Sequence, residues 1–162
     1  MAWAKNGTPS TLTGAADVIT ISDLTAKKFN VFLGHIIGAT GNLDVGIRLD
    51  NISTNTYAQR YSSNGAADGT TLNVNYIVPE RPQTGTLDGF GIEYMINIAT
   101  EEKLMLSFSV DQGAVGAGTS PSRMECVGKY AQTSTQITRI DKHQFGVGDF
   151  TTGSNISAIG TD

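Results

Sequence analysis

The sequence predicts an all-β protein built as an antiparallel β-sandwich of about eight to nine strands. Three observations predict it. Through residues 89–110 apolar side chains fall on every second position: Phe90, Ile92, Tyr94, Ile96 and Ile98, then Leu104, Leu106, Phe108 and Val110. A period of two puts one set of side chains on each face of a strand. Clusters of Gly, Asn, Asp, Ser and Pro interrupt the apolar runs at intervals of roughly 10–18 residues, as the turns of a many-stranded protein do. No stretch carries the 3.6-residue period of a helix, and the one candidate, residues 23–28, is a turn at most.

The chain divides into an N-terminal arm, residues 1–16, and a single sandwich domain, residues 17–162. The arm is small and polar, with Pro9 and Gly14, and holds Trp3, the one tryptophan. A tryptophan in a polar terminus is expected to dock, on its own domain or on a neighbouring subunit. Residues 17–21 form a short strand. Residues 29–37 are a dense β-type run that belongs in the centre of a sheet, and 38–42 are a turn. Leu43, Val45, Ile47 and Leu49 alternate with Asp44, Gly46, Arg48 and Asp50, a half-buried strand. After a loop at 51–55, residues 57–61 are a short strand with Arg60 outward. Residues 62–70 are a turn cluster, and 72–78 a strand stopped by Pro79 and Pro82.

The two long strands of 89–110 follow, joined by polar residues 99–103. Their even-numbered apolar set is expected in the core, where replacing Ile96 or Phe108 by alanine would cost about 2–5 kcal/mol. Residues 112–122, with Gly113, Gly116, Gly118 and Pro121, read as a mobile or subunit-contacting loop. Residues 123–130 are a strand with Met124, Cys126 and Gly128 on one face. Residues 136–143 are another, with room for a bulge between Ile137 and Ile140. A loop at 145–153 carries Phe145 and Phe150, and 155–159 is the last strand.

At 162 residues the chain can bury a sizeable single core. Charged residues make up 16% of it, against about 25% in an average domain, and the net charge is −4. Eleven Lys and Arg scattered among 15 acids form no basic stripe, which argues against binding along a phosphate backbone. The surface is left to Ser, Thr, Asn, Gln and Gly, which suits packing against copies of the same chain. No segment has the apolar core of a signal peptide. The longest apolar stretch, 31–37, is broken by Gly34 and His35 and falls far short of the ~20 residues of a membrane span. Synthesis in a cytoplasm is expected, with no membrane partner. Cys126 is the one cysteine, so no internal disulfide forms, and it reads as a small buried apolar residue.

No cluster carries catalysis, and no cofactor is expected. His35 and His143 are the only histidines, and one cysteine leaves no zinc set. Asp44, Asp50 and Asn51, or Asp149 with nearby carbonyls, offer oxygens to calcium without matching a known loop. There is no Gly-x-Ser-x-Gly elbow, and Glu101 and Glu102 read as solvated turn charges. Gly113-Ala-Val-Gly-Ala-Gly lacks the Lys-Ser/Thr of a phosphate loop. The Asn-x-Ser/Thr triplets at Asn6, Asn51 and Asn155 are chance matches. The residues left for recognition are aromatic: Trp3 in the arm, and Tyr57, Tyr61, Tyr76, Phe145 and Phe150 in or near loops. Such rings cap a core or fill a subunit interface; exposed, they can stack on sugar rings.

Several phrases together carry a family likeness: Met1-Ala-Trp, Thr25-Ala-Lys-Lys-Phe, Tyr57-Ala-Gln-Arg-Tyr-Ser-Ser-Asn-Gly, Ile96-Asn-Ile-Ala-Thr-Glu-Glu-Lys-Leu, Gly116-Ala-Gly-Thr-Ser-Pro-Ser-Arg, Gly148-Asp-Phe-Thr-Thr-Gly-Ser and Ile159-Gly-Thr-Asp. Over nearly its whole length the chain resembles a group of small virion structural proteins of tailed bacteriophages, common in marine and environmental phages. The resemblance implies a particle component such as a head decoration, fibre or tail protein, of jelly-roll-like build, and it carries over no site residues. The function expected is that of a non-enzymatic structural protein of the virion. It would assemble as a homo-oligomer, trimers first, and contact other virion proteins such as the major capsid or tail protein. The alternative is a carbohydrate-binding module or receptor-binding fibre tip that takes a host surface glycan on the loop aromatics.

Overall fold

A computed structural model describes residues 2–39, 41–80, 83–84 and 87–162, with the backbone alone of Asn42, Gln83 and Thr84. Met1 of the opening phrase, Thr40 of the first turn and Pro82 as a strand stop lie outside the described residues. The elements formed among them are all strands: β1 (Ala4–Lys5), β2 (Ser10–Thr11), β3 (Val18–Ile21), β4 (Phe29–Ile37), β5 (Asn42–Leu43), β6 (Val45–Leu49), β7 (Tyr57–Ser63), β8 (Gly69–Val74), β9 (Gln83–Thr84), β10 (Asp88–Ile96), β11 (Lys103–Asp111), β12 (Ser122–Tyr130), β13 (Ile140–Gln144) and β14 (Asn155–Thr161).

Nine of them make one large antiparallel sheet in the order β1-β14-β4-β10-β11-β12-β7-β8, with β2 also on β14. A three-stranded sheet, β3-β13-β6, covers one face of it, and β5 pairs with β9. Between the sheets lies one apolar cluster, with Ile19, Phe32, Ile36, Ile47, Met95, Met105 and Ile140 among its buried members. The antiparallel sandwich expected from the sequence is the observed class. The partition, nine strands against three, does not bear out the jelly-roll part of that expectation, since a jelly roll pairs two sheets of comparable size.

Local chemistry explains where strands stop. β8 ends at Val74 rather than 78. Asn73 takes a positive φ of 54°, and the chain turns so that Ile77 exchanges both backbone hydrogen bonds with Ile47. β13 begins at Ile140 rather than 136. The N–H groups of Thr138 and Arg139 donate to the Asp50 carboxylate, and that of Ile137 donates to the Asn97 side chain. The expected arm lies along the sheet edge: Ala4 and Lys5 pair with Gly160 and Ile159, and Ser10 and Thr11 with Ile156 and Asn155. Buried Asn6 fastens it, donating to the Asn30 side chain and accepting from the Thr25 N–H.

On β6 and β12 the expected faces are the observed ones. Leu43, Val45, Ile47 and Leu49 are buried, as are Met124, Cys126 and Gly128. On the two long strands the expectation is overturned. Glu93, Met95 and Asn97 of the first, and Lys103, Met105, Ser107 and Ser109 of the second, point into the sandwich. Phe90, Tyr94, Leu104, Leu106, Phe108 and Val110 are exposed, and Ile92, Ile96 and Ile98 half-buried. Most of the inward polar groups have partners there, the Ser109 hydroxyl and one Glu93 oxygen being without one among the described residues. Lys103 Nζ donates to the carbonyls of Ile98, Ala99, Glu101 and Gln132. Asn97 serves the backbone of Lys27 and Ile137, and Ser107 donates to the Pro79 carbonyl. Satisfied polar groups can occupy a core, which frees the apolar set to face outward.

Candidate functional site: the outer face of the large sheet

Strand pairing assembles that outward set into one surface. Across β10 and β11, Phe90 lies opposite Val110, Ile92 opposite Phe108, Tyr94 opposite Leu106 and Ile96 opposite Leu104. On the far side of β11, Leu106 faces Val127 of β12, and on the far side of β10, Ile92 faces Leu33 of β4. Pairs of this kind are the unit of sheet packing, but here they have no layer above them. Phe108 is 53% exposed, Leu106 53%, Phe90 46% and Tyr94 45%.

An aromatic side chain buries about 150–250 Å² when fully covered. The half-exposed rings of Phe90, Tyr94 and Phe108 therefore leave about 300 Å² open. With Leu104, Leu106, Val110 and Val127 the patch reaches roughly 600 Å², the top of the range for the largest patch on a monomer. That approaches the ~800 Å² each partner contributes to a standard interface.

The rim is charged but internally paired. Arg123 holds Glu125 at 2.6 Å, Lys129 holds Glu102 at 2.8 Å and Arg60 meets Asp68 at 3.5 Å. On the opposite side His35 lies 3.4 Å from Asp88. The exposed loop 112–121 borders the same face, where Gln112 and Pro121 line a hollow with Phe90 and Val110.

The aromatics expected to do recognition are scattered by the fold. Tyr57 is buried, stacked on Tyr130 with centroids 4.8 Å apart, and its hydroxyl donates to the Leu49 and Ile52 carbonyls. Burial pushes that hydroxyl's pKa well above the ordinary tyrosine value. Phe150 is a core residue beside the bridges to Ala16 and Gly38. Both are corrections: neither ring is available to a ligand. Phe145 is half-buried, stacked on Tyr76 at 3.8 Å with Arg48 over its ring. Trp3 is 49% exposed in the edge segment that leads into β1.

Tyr61 faces inward and, with Tyr76, lines a cleft of about 360 Å³ at the β7–β8 end of the sandwich. Asp44, Gln59, Thr71 and Asn75 supply its polar walls, and the Thr71 hydroxyl has no hydrogen-bond partner among the described residues. Asp50 is spent on backbone N–H groups, and among the described residues no three His, Cys, Asp or Glu side chains converge to hold a metal.

The outer face is what sequence reasoning missed. Its signal was present in the complementary set: Gly89, Gly91, Ser107 and Ser109 alternate with the large apolar residues. Small residues on adjacent strands mark a face that must admit other side chains. No family model, curated protein or solved structure matches this chain.

Proposed function

We propose that this protein is a non-enzymatic assembly subunit that docks through the outer face of its large sheet onto further copies of itself. The observation that carries this reading is the apolar surface of β10 and β11, at the top of the size range for a monomer's largest patch and free of charge at its centre. The occupant is a second copy, because the rim charges already have partners within the chain. A surface that brings no unpaired charge is compatible with its own image, and closed symmetry then follows. Copies arranged with this face toward a common axis would form the trimer that the resemblance implies, and other closed rings, a two-fold pair among them, are the alternative.

The resemblance to phage structural proteins supplies the setting: a component of a tailed-phage particle, as capsid decoration or head or tail accessory protein. Sedimentation at tens of micromolar tests the docking. Wild type should run at two or three times the chain mass, and Leu106→Lys should run as a monomer. A wild type that stays monomeric overturns the reading. Mass spectrometry of purified particles tests the setting through the protein's presence and copy number.

A second reading rests on the cleft of Tyr61 and Tyr76. Its volume falls in the range of small-ligand sites, and two rings beside Asp44, Gln59 and Asn75 suit a sugar. Glycan-array binding that Tyr76→Ala abolishes would favour a receptor-binding role.

A further inference from the structure

Lys142 of β13 is fully buried and reaches across the core to two carboxylates, Glu80 and Glu93, both equally buried. Its Nζ contacts Glu80 Oε1 and lies 3.0 Å from Glu93 Oε1. The site is built for this. A Cβ on Gly34 would sit 2.5 Å from Lys142 Nζ, and one on Gly91 would sit 2.7 Å from Glu80 Oε1. Only glycine on these neighbouring strands leaves the slot open.

As an ion cluster the arrangement is poorly balanced. Two carboxylates share one ammonium, and the second oxygens of Glu80 and Glu93 have no hydrogen-bond partner among the described residues. Buried charge is tolerated when it is paired and fully hydrogen-bonded. Burial, together with the neighbouring Glu80 and against the pull of Lys142, pushes the Glu93 carboxyl up to about 7. Near neutrality Glu93 is therefore divided between its charged and its protonated form.

We propose that Lys142 and Glu80 condense to a side-chain amide that ties β13 to the segment following Ile77, with Glu93 as the catalytic proton relay. The reaction needs no co-reactant. Against burial, which favours the neutral amine, Glu80 and Glu93 hold Lys142 as the ammonium and raise its pKa above the ordinary lysine value, so the reaction starts from the minor form in which Nζ has passed one proton to the Glu80 carboxylate, leaving a neutral amine beside a neutral acid. The Nζ lone pair attacks Glu80 Cδ while Glu93 gives its proton to the carbonyl oxygen. Glu93 then takes a proton from nitrogen and delivers it to one hydroxyl of the tetrahedral centre. That C–O bond breaks, water leaves, and the remaining hydroxyl proton returns to Glu93 as the amide carbonyl forms. The product replaces an ammonium and a carboxylate by a neutral amide beside a protonated Glu93, which removes the buried charges from the core. Fixed contact in a dry site is the condition under which such intramolecular steps gain most from proximity. This inference is independent of the docking face.

Intact-mass spectrometry of the purified, denatured wild-type protein tests it. The expected mass is below the sequence mass by one water. Tryptic digestion should then give a branched peptide joining the segment through Lys142 to the segment through Glu80. Glu93→Gln, nearly isosteric, should fold with an unchanged circular dichroism spectrum and retain the full mass. A wild type of full sequence mass after days in the folded state overturns the proposal, as does a water loss mapped to any other pair. Loss of water by Glu93→Gln at the wild-type rate would remove Glu93 from the reaction.

Discussion

Gly34 on β4 and Gly91 on β10 are register partners, and each forms the floor under one member of the buried ion cluster, Lys142 over Gly34 and Glu80 over Gly91. Neither has a positive φ, so their identity is a matter of space. Lys142 is held at its tip by two carboxylates and has nowhere to retreat. Gly34→Ala and Gly91→Ala should each destabilise by about 1–3 kcal/mol, the usual cost of overpacking. Gly118→Ala, with nothing within 4 Å of the added carbon, should stay within about 0.5 kcal/mol of wild type. Urea unfolding midpoints compare the three.

Removing the lysine alone should be worse than removing the cluster. Measured against the chain before the amide forms, Lys142→Met leaves two buried carboxylates without their cation, and breaking a buried ion pair costs about 3–5 kcal/mol. Adding Glu80→Gln and Glu93→Gln to the same chain should recover most of that loss, a non-additivity expected among groups in one network. Unfolding free energies of the single and triple variants measure it, and a triple variant no better than the single would show that the carboxylates are not what the lysine neutralises.

The two faces of β11 should respond oppositely to truncation. Met105 is buried, and Met105→Ala should cost about 2–5 kcal/mol of fold stability. Phe108, three residues further along the same strand and 53% exposed, should cost under about 1 kcal/mol when replaced by alanine in a dilute monomer, because most surface positions are tolerant. The same Phe108→Ala change should weaken self-association in sedimentation, which Met105→Ala in its folded fraction should not.

Cys126 should be inert. Burial, with a smaller contribution from Glu93, pushes its thiol up to about 12, and the thiolate is the reactive form. Labelling by a thiol reagent at pH 8 should proceed at the rate of unfolding and become immediate in denaturant. Fast labelling of the folded protein would place Cys126 at the surface.

His143 should make the fold acid-sensitive. Its burial first, then the positive charge of Arg48, lowers its pKa below the ordinary 6.5. The unfolded chain thus binds a proton at a pH where the folded one does not. Its contribution is present in full above about 6.5 and is lost as pH falls through the lower folded value. His143→Gln should flatten the stability-against-pH curve in that window relative to wild type, measured by thermal melts across pH 5–7.

The strands were legible in the sequence; their orientation was legible only in part. β4 and β12 sit within a residue of the positions read from alternation, because period two is a local property of the backbone. For β6 the inward choice was correct, and Asp44 and Arg48 of its other set are only half-buried. For β10 and β11 both sets could be buried, and what decided between them lies far along the chain. Glu93 depends on Lys142, Asn97 on Ile137 and Ser107 on Pro79, separations of 49, 40 and 28 residues. No local pattern contains those partners. Tyr57 was misplaced for another reason: the carbonyls of Leu49 and Ile52 that take its hydroxyl are near in sequence, but the contact is invisible in a list of loop residues.

The internally paired rim sets how the proposed assembly would respond to its solution. Contacts that work by matching charge weaken as ionic strength rises and the Debye length shortens. Here Arg123, Lys129 and Arg60 already have their counter-charges, and what a partner covers is hydrocarbon. Association through this face should therefore survive high salt and strengthen in ammonium sulfate, while chilling loosens it, since the hydrophobic driving force fades on cooling. A complex of this chain is best kept warm and salty, and cold low-salt buffer is the gentle way to take it apart.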